Sequence, residues 1–259
     1  MLLQDRVVII TGAGRGIGKA AALKFAAEGA SVAVVSRTLS QLEEVAEAIT
    51  SQGGKAAPVQ ADVSIESQVQ AMVRRVLQAF GRIDVMVNNA ALPGPEKPLV
   101  ELEMSEWDIP LGINLRGSVM CSKYVLPHMF EQGSGNIINV SSTAGRRGMA
   151  GRTHYSSSKF GVIGFTQALA MEVGPRNVRV NCIVPGAINT ELLVAYHQRI
   201  AGERGVSYEQ VKGEAAAAAP LNKVVEPSEV ADLMVYLASD LSVGIHGQSL
   251  DINAGSWMS

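Results

Sequence analysis

An unbroken apolar run from Arg6 to Thr11 (RVVIIT) meets four glycines, Gly12, Gly14, Gly16 and Gly18, and an amphipathic pattern follows at once. A short run with no polar alternation suits a strand buried on both faces of a parallel sheet. The pattern of Ile17, Ala20, Ala21, Leu23 and Phe25 reads as a helix that stops at Glu28-Gly29. Strand, glycine turn and helix N-terminus in that order leave few folds open. They also set unpaired amides and the positive end of a helix dipole where the backbone can be approached closely, which points to a bound pyrophosphate. Ile17 stands where the third glycine of Gly-x-Gly-x-x-Gly belongs, so the spelling is Thr-Gly-x-x-x-Gly-x-Gly from Thr11 to Gly18. A tight turn without a ligand is the competing reading of the same glycines.

Strand and helix patterns then alternate. Strands are expected at Ala30 to Ser36, Ala56 to Gln60, Ile83 to Val87, Asn136 to Ser142, Val178 to Ile183 and Gln248 to Ile252. Helices are expected at Gln41 to Ser51, Ile65 to Phe80, Leu111 to Glu131 and Pro227 to Ala238. This alternation predicts one α/β domain over 1–259, a doubly wound Rossmann-type fold of about seven parallel strands with helices on both faces. Ligands of such a sheet sit beyond the carboxyl ends of its strands, so those ends hold the candidate site.

At the second strand end stand Ser36 and Arg37, and no acid occurs between Gly29 and Leu42. An acid there would accept from the free 2′-hydroxyl of NAD(H). Arg37, helped by Arg15, pairs instead with a 2′-phosphate, which favours NADP(H), with NAD(H) as the alternative. Asp62-Val63 ends the third strand, where the carboxylate either accepts from an adenine amino group or caps a helix. Asn88-Asn89-Ala90-Ala91 ends the fourth: small Ala90 leaves room for a cofactor, and an asparagine ties neighbouring loops. Asn114, inside the long apolar helix, is either tolerated at a surface or bonded to backbone, or it holds a water or breaks a helical turn. Ser142 ends the fifth strand. After the sixth, Pro185-Gly186-Ala187-Ile188-Asn189-Thr190 shapes a nicotinamide site, with Thr190 near the carboxamide. Glu191 to Pro220 follows as a lid over the strand ends or as an extra packed helix pair, and the lid segment is taken as 187–220.

Tyr155 and Lys159 stand four residues apart at the start of a helical pattern, so both project from one face. Free tyrosine titrates near ~10, and a neighbouring cation favours its phenolate and brings it into range for acid and base chemistry. A surface pair is the alternative.

Together, Thr11 to Gly18, Asp62-Val63, Asn88-Asn89-Ala90, Asn114, Ser142, Tyr155-x-x-x-Lys159, Pro185-Gly186 and Thr190 resemble the short-chain dehydrogenase/reductase family over nearly the whole chain. The resemblance implies hydride transfer between a nicotinamide and a carbonyl or secondary alcohol. By it, Tyr155 is the general acid or base and Ser142 polarises the substrate oxygen. Lys159 lowers the tyrosine pKa and holds the nicotinamide ribose, and Asn114 places a water in a proton relay. Homotetramers are common in the family. Two departures, Ala91 for a glycine and Asn253-Ala254-Gly255 for Asp-Gly-Gly, leave the proposed catalytic groups intact. A 3-oxoacyl-(acyl carrier protein) reductase or related ketone reductase fits the motifs; a polyol, sugar or other alcohol dehydrogenase follows, and a non-catalytic dinucleotide sensor is the remote alternative. Arg146, Arg147 and Arg152 flank the site and are expected to attract an acidic or phosphorylated substrate.

A formal charge of −2 provides no basic field for nucleic acid, so a small-molecule substrate is expected. Cys121 and Cys182 are isolated and read as buried thiols of a reducing, cytoplasmic compartment, with a disulfide as the weaker alternative. The four histidines show no metal spacing, so no metal is expected. No apolar run reaches the ~18 residues that span a bilayer, so no membrane association is expected either.

Overall fold

In the computed structural model, which describes residues 1–258, the run after Arg6 is strand β1 (Val7–Thr11), buried at every residue. Its side chains alternate between two cores. Val8 and Ile10 join Val32 and Val34 in one, and Val7 and Ile9 join Ala33 and Val35 in the other. A strand lined on both faces this way has no polar side, which is why the sequence reads as an unbroken apolar run.

The remaining strands are β2 (Ser31–Ser36), β3 (Lys55–Gln60), β4 (Val85–Asn88), β5 (Gly135–Val140), β6 (Val178–Pro185) and β7 (Ser249–Ile252). They form one seven-stranded sheet in the order β3-β2-β1-β4-β5-β6-β7, and each neighbouring pair is parallel. Helices α1 (Gly16–Ala27), α2 (Leu39–Thr50) and α9 (Pro227–Ala238) supply the core on one face. Helices α3 (Glu66–Phe80), α5 (Gly117–Gln132) and α6 (Thr153–Val173) supply the other. The order reverses between β1 and β4, so the loops leaving those two strands part and open a crevice at their carboxyl ends. The doubly wound Rossmann fold and its seven strands agree with the sequence reading.

The expected uninterrupted helix from Leu111 to Glu131 is corrected. The chain turns helical at α4 (Met104–Pro110), passes through a widened, π-type segment at Leu111–Arg116, and resumes as α5. Pro110 has no amide hydrogen to continue the α-helical ladder, and Asn114, 1% exposed, sits in the widened turn. Of the readings of Asn114, the structure shows an interrupted helix and a side chain bonded to backbone, at Leu92.

The segment after β6 contains two helices, α7 (Glu191–Arg204) and α8 (Tyr208–Ala217), joined through Gly205 in the left-handed region at φ +66°. His197 is buried between Tyr196 and Tyr208, with ring centroids 6.1 and 6.4 Å away. The two helices therefore pack on each other as a pair. No helix among the described residues is long and apolar enough to cross a membrane. Cys121 and Cys182 are free and buried, and burial pushes their thiols up to about 12 and about 11.

Candidate active site

The glycine turn is built for close approach. Gly12 and Gly16 adopt φ of +67° and +53°, a region that L side chains rarely occupy. A Cβ on Gly18 would lie 2.2 Å from the Gly12 carbonyl oxygen, so only glycine lets α1 start this near the turn. The first turn of α1 carries no acid, and no side chain caps it. Its amides thus face the crevice unpaired, as anion binding requires. Asn89 ties this turn to the end of β4: its Nδ2 donates to the Thr11 carbonyl (2.9 Å), while its backbone amide donates to Thr11 Oγ1 (3.0 Å). Ala90 N–H donates to the same hydroxyl at 3.1 Å. Thr11 is a positioning residue that sequence reasoning named only as the opening letter of the motif.

Thr190 comes to the opposite side of the turn, where its Cγ2 would be 3.3 Å from a Cβ on Gly16. Its hydroxyl accepts from Leu193 N–H and caps α7. A Cβ on Gly186 would lie 2.6 Å from the Asn253 Cβ, so the Pro185-Gly186 turn is pressed against the C-terminal segment. Ile188 points its side chain into the core, which leaves only its backbone for a ligand.

At the far end, Ser36 Oγ accepts from Thr38 N–H, and the Arg37 carbonyl accepts from Gln60 Nε2 (2.8 Å), fixing the turn after β2. Arg37 stays exposed, with Nη1 3.9 Å from Asp62 Oδ2. Asp62 is not the N-cap of α3, which is Ile65. Its Oδ1 accepts from the Ser64 amide (2.9 Å) and hydroxyl (2.6 Å) in the turn before that helix. Val63 is buried against Gly117 at the start of α5. Here a cleft of about 550 Å³ opens, lined among others by Arg37, Gln60, Asp62, Gln68 and Arg75. It lies at the β2 and β3 ends of the sheet, away from Tyr155. Dinucleotide cofactors fit this arrangement: a glycine cradle that any Cβ would fill, free helix amides for a pyrophosphate, and a polar cleft with two arginines beyond.

Tyr155 and Lys159 share the first turns of α6, as their spacing predicts, with Lys159 Nζ 5.8 Å from the phenol ring centroid. Lys159 is 2% exposed and donates from Nζ to the Val140 carbonyl at 2.8 Å. Ser141 Oγ in turn donates to the Lys159 carbonyl at 2.8 Å. A Cβ on Gly145 would fall 2.7 Å from that carbonyl, so the segment after β5 packs directly on α6. This brings Ser142 beside the phenol. The electrostatics differ from the expectation that the lysine lowers the tyrosine pKa. Burial raises the Tyr155 pKa above 10, only partly opposed by the Ser142 hydroxyl and then Arg152. Burial likewise lowers Lys159 to about 8, with Cys182 opposing. Desolvation wins because the ammonium is directed to a backbone carbonyl rather than to the phenol oxygen.

Asn114 reaches the same turn from the widened segment. Its Oδ1 accepts from Leu92 N–H (2.8 Å), and its Nδ2 donates to the Leu92 carbonyl (3.0 Å) and to Ser158 Oγ (2.9 Å). Ser158 Oγ donates to the Tyr155 carbonyl at 2.7 Å. The Asn114 side chain is therefore fully used in bracing the chain, and its own carbonyl accepts from Ser118 Oγ at 2.7 Å. Leu92 and Ser158 are positioning residues that no sequence signal marks. The arginines are corrected as well. Arg146 pairs with Asp251 (3.1 Å) and Arg152 with Glu96 (3.0 Å), partners distant in sequence. Arg147 alone of the three has no acid partner among the described residues, and its guanidinium lies 5.3 Å from the Trp257 ring centroid.

The family model described as short chain dehydrogenase matches residues 6–200. The chain is 39% identical to the short-chain reductase protein NovJ of Streptomyces niveus over 252 residues, covering 97% of this chain and 94% of that protein. It is 37% identical to the 3-oxoacyl-[acyl-carrier-protein] reductase FabG of Thermotoga maritima, covering 98% and 99%. The crystal structure of levodione reductase superposes with a TM-score of 0.92 at 35% identity, covering 98% of both chains. With the glycine cradle, the switch-point crevice and the Tyr155-Lys159 turn in place, the chain belongs to the short chain dehydrogenase family and is an oxidoreductase acting on carbonyl or CH–OH groups.

Proposed function

We propose that this protein is an NADP(H)-preferring ketone reductase of one domain, whose 187–220 segment covers the substrate side of the crevice. The observation that carries this reading is the meeting of Tyr155, Ser142 and Lys159 beside the glycine cradle. When bound, the nicotinamide supplies the hydride. Tyr155, held as a neutral phenol, donates the proton to the carbonyl oxygen, and Ser142 Oγ orients that oxygen. Lys159 spends one of its three donors on Val140, leaving two for the ribose hydroxyls. The Asn114 carbonyl keeps a lone pair with which to hold a water behind Lys159. Gly12, Gly16, Gly18 and the Ile17 amide cradle the pyrophosphate. Ser36, Arg37 and Arg15 take the 2′-phosphate, and Asp62 and Val63 bound the adenine. Asn89, Ala90, Pro185, Gly186, the Ile188 backbone and Thr190 enclose the nicotinamide end.

The paired Arg146 and Arg152 leave little basic surface for an acyl carrier protein, which favours a free ketone over a carrier-bound 3-oxoacyl group. Outward apolar residues on α6 and in the turn after α9, Phe160 (47% exposed), Met171 (84%), Leu241 (64%) and Val243 (68%), support a homotetramer. Free buried thiols support a reducing cytoplasm.

Titration with NADPH and NADH, followed by turnover with ketones, acyl thioesters and sugars, tests the reading. Tighter NADPH binding and reduction of a free ketone are expected, and Arg37→Asp should reverse the cofactor preference by about tenfold or more. Tighter NADH binding by the unaltered protein contradicts the role given to Arg37.

A further inference from the structure

The residue before Tyr155 takes no part in the chemistry above, yet it is the more deeply buried of the two. His154 is 0% exposed, and neither ring nitrogen closes a well-formed hydrogen bond among the described residues, although the Pro93 and Pro95 carbonyls lie near the ring. Its ring lies 6.3 Å from that of Trp107 on α4, tilted by 51°. It also lies against Gly94, where a Cβ would fall 2.4 Å from His154 Nε2 and 3.0 Å from the Pro110 Cγ. Gly94 holds φ of +70°, so both its conformation and this close approach call for glycine.

Gly94 is the centre of the segment that crosses from the cofactor side of the crevice to the tyrosine. The segment leaves β4 at Asn89-Ala90, against the glycine turn, and reaches the N-terminus of α6, where Lys97 N–H donates to the Gly151 carbonyl (3.0 Å). Its flanks are fastened. Leu92 exchanges two hydrogen bonds with Asn114, Glu96 pairs with Arg152, and Lys97 pairs with Glu106 (2.7 Å). Between these anchors, Pro93 and Pro95 have no amide hydrogen to donate, and Pro93-Gly94-Pro95 makes no backbone hydrogen bond among the described residues. What supports the middle of the segment is the contact with His154 and Pro110.

We propose that His154 is a positioning residue for the reduction, a wedge that holds the Pro93-Gly94-Pro95 wall at a fixed distance from the Tyr155 phenol. The proposal rests on the reductase reading for its effect on turnover, and on the geometry alone for its effect on the wall. The wedge works in its neutral form. Burial first, and then Arg152 at the α6 N-cap, push the His154 pKa below its usual 6.5; the Pro93 carbonyl, Glu106 and the Pro95 carbonyl push the other way. The other charges around it are largely matched: Lys97 offsets Glu106, and Glu96 offsets Arg152 while also meeting Arg199 of α7 (3.4 Å). Because the folded value is depressed, the stabilisation from the neutral ring is complete above about 6.5 and is lost as pH falls through the folded value. A protonated ring has two donors and would draw in the Pro93 and Pro95 carbonyls that already lie near it, displacing the wall it supports.

The test combines amide exchange with kinetics on the full-length protein and on His154→Gln, His154→Phe and Gly94→Ala. The wedge predicts faster exchange in 92–98, with no change in 11–18, for His154→Gln and Gly94→Ala. The same two variants should raise the ketone KM about tenfold while cofactor affinity and kcat stay near those of the unaltered protein. In the unaltered protein the ketone KM should rise, and the protection of amides in 92–98 relative to their intrinsic exchange rates should fall, together as pH drops below 6.5. His154→Phe, which fills the space without titrating, should keep the segment protected and flatten that dependence. Exchange in 92–98 that is indifferent to His154→Gln and to pH, or a pH dependence that survives in His154→Phe, overturns the proposal. Absence of carbonyl turnover by the unaltered protein overturns the reductase reading instead, and leaves the exchange result to judge the wedge.

Discussion

At Tyr155 and Lys159 burial outweighs the attraction of the lysine charge for a phenolate. The sequence places the two groups on one helical turn, and the structure does the same. Which group is charged depends on where the ammonium is directed, and the Val140 carbonyl that receives it belongs to a strand far along the chain. That direction could not be read from a four-residue spacing. It has a measurable consequence for the cofactor-free protein. With Lys159 at about 8 when folded and 10.5 when unfolded, the unfolded chain binds the extra proton between those values, so stability rises with pH across the window. The full shift corresponds to on the order of 3 kcal/mol. Urea melts from pH 7.5 to 8.5, below the range in which the raised Cys121, Cys182 and Tyr155 values act in the opposite sense, should show this rise, and Lys159→Met should remove it. A slope unchanged in Lys159→Met would show that the ammonium is not desolvated as described. The arginines carry the same lesson: Arg146 and Arg152 read as free cations in sequence, while Asp251 and Glu96, their partners, are brought to them only by the fold.

Among the elements, the glycine turn with α1 was the most legible and the widened turn before α5 the least. Four glycines after a buried strand read as a close-approach turn, and a Cβ on Gly18 would lie 2.2 Å from the Gly12 carbonyl oxygen, so the turn does require glycine there. Gly18→Ala must push α1 away from the turn. Cofactor affinity measured by fluorescence titration should fall by about tenfold or more, with the far-ultraviolet circular dichroism retained; unchanged affinity would mean that the cradle is not where the cofactor binds. The widened turn is composed of residues that suit an ordinary α-helix, so periodicity cannot reveal it, and Pro110 and Asn114 are its only marks in the sequence. Its importance lies in the bonds from Asn114 to Leu92 and Ser158. Removing them leaves buried groups unpaired at about 1 kcal/mol or more each. Asn114→Ala should therefore lose about 2–4 kcal/mol of stability in chemical denaturation, and a loss below 0.5 would mean that those bonds form elsewhere.

For the molecule as a whole, the fold was legible because a doubly wound parallel sheet writes its central strands as unbroken apolar runs and its helices as stripes. The two cores flanking β1 follow from that, as does the crevice between the β1 and β4 loops. Ile9, 0% exposed in the α3 and α5 core, should cost about 2–5 kcal/mol on replacement by alanine, a loss that thermal or urea unfolding will measure. The long-range contacts were hidden: the Asn88-Asn139-Thr166 chain of buried amides and hydroxyls joins segments that no periodicity connects. The molecule's purpose, in this account, is to set one neutral phenol against a carbonyl beside a bound nicotinamide. The most direct measurement is turnover of NADPH with a reducible ketone by the unaltered protein and by Tyr155→Phe, with cofactor affinity determined for both. The account predicts a fall in kcat/KM of about 10²- to 10⁴-fold with cofactor affinity preserved; full turnover by Tyr155→Phe would contradict it.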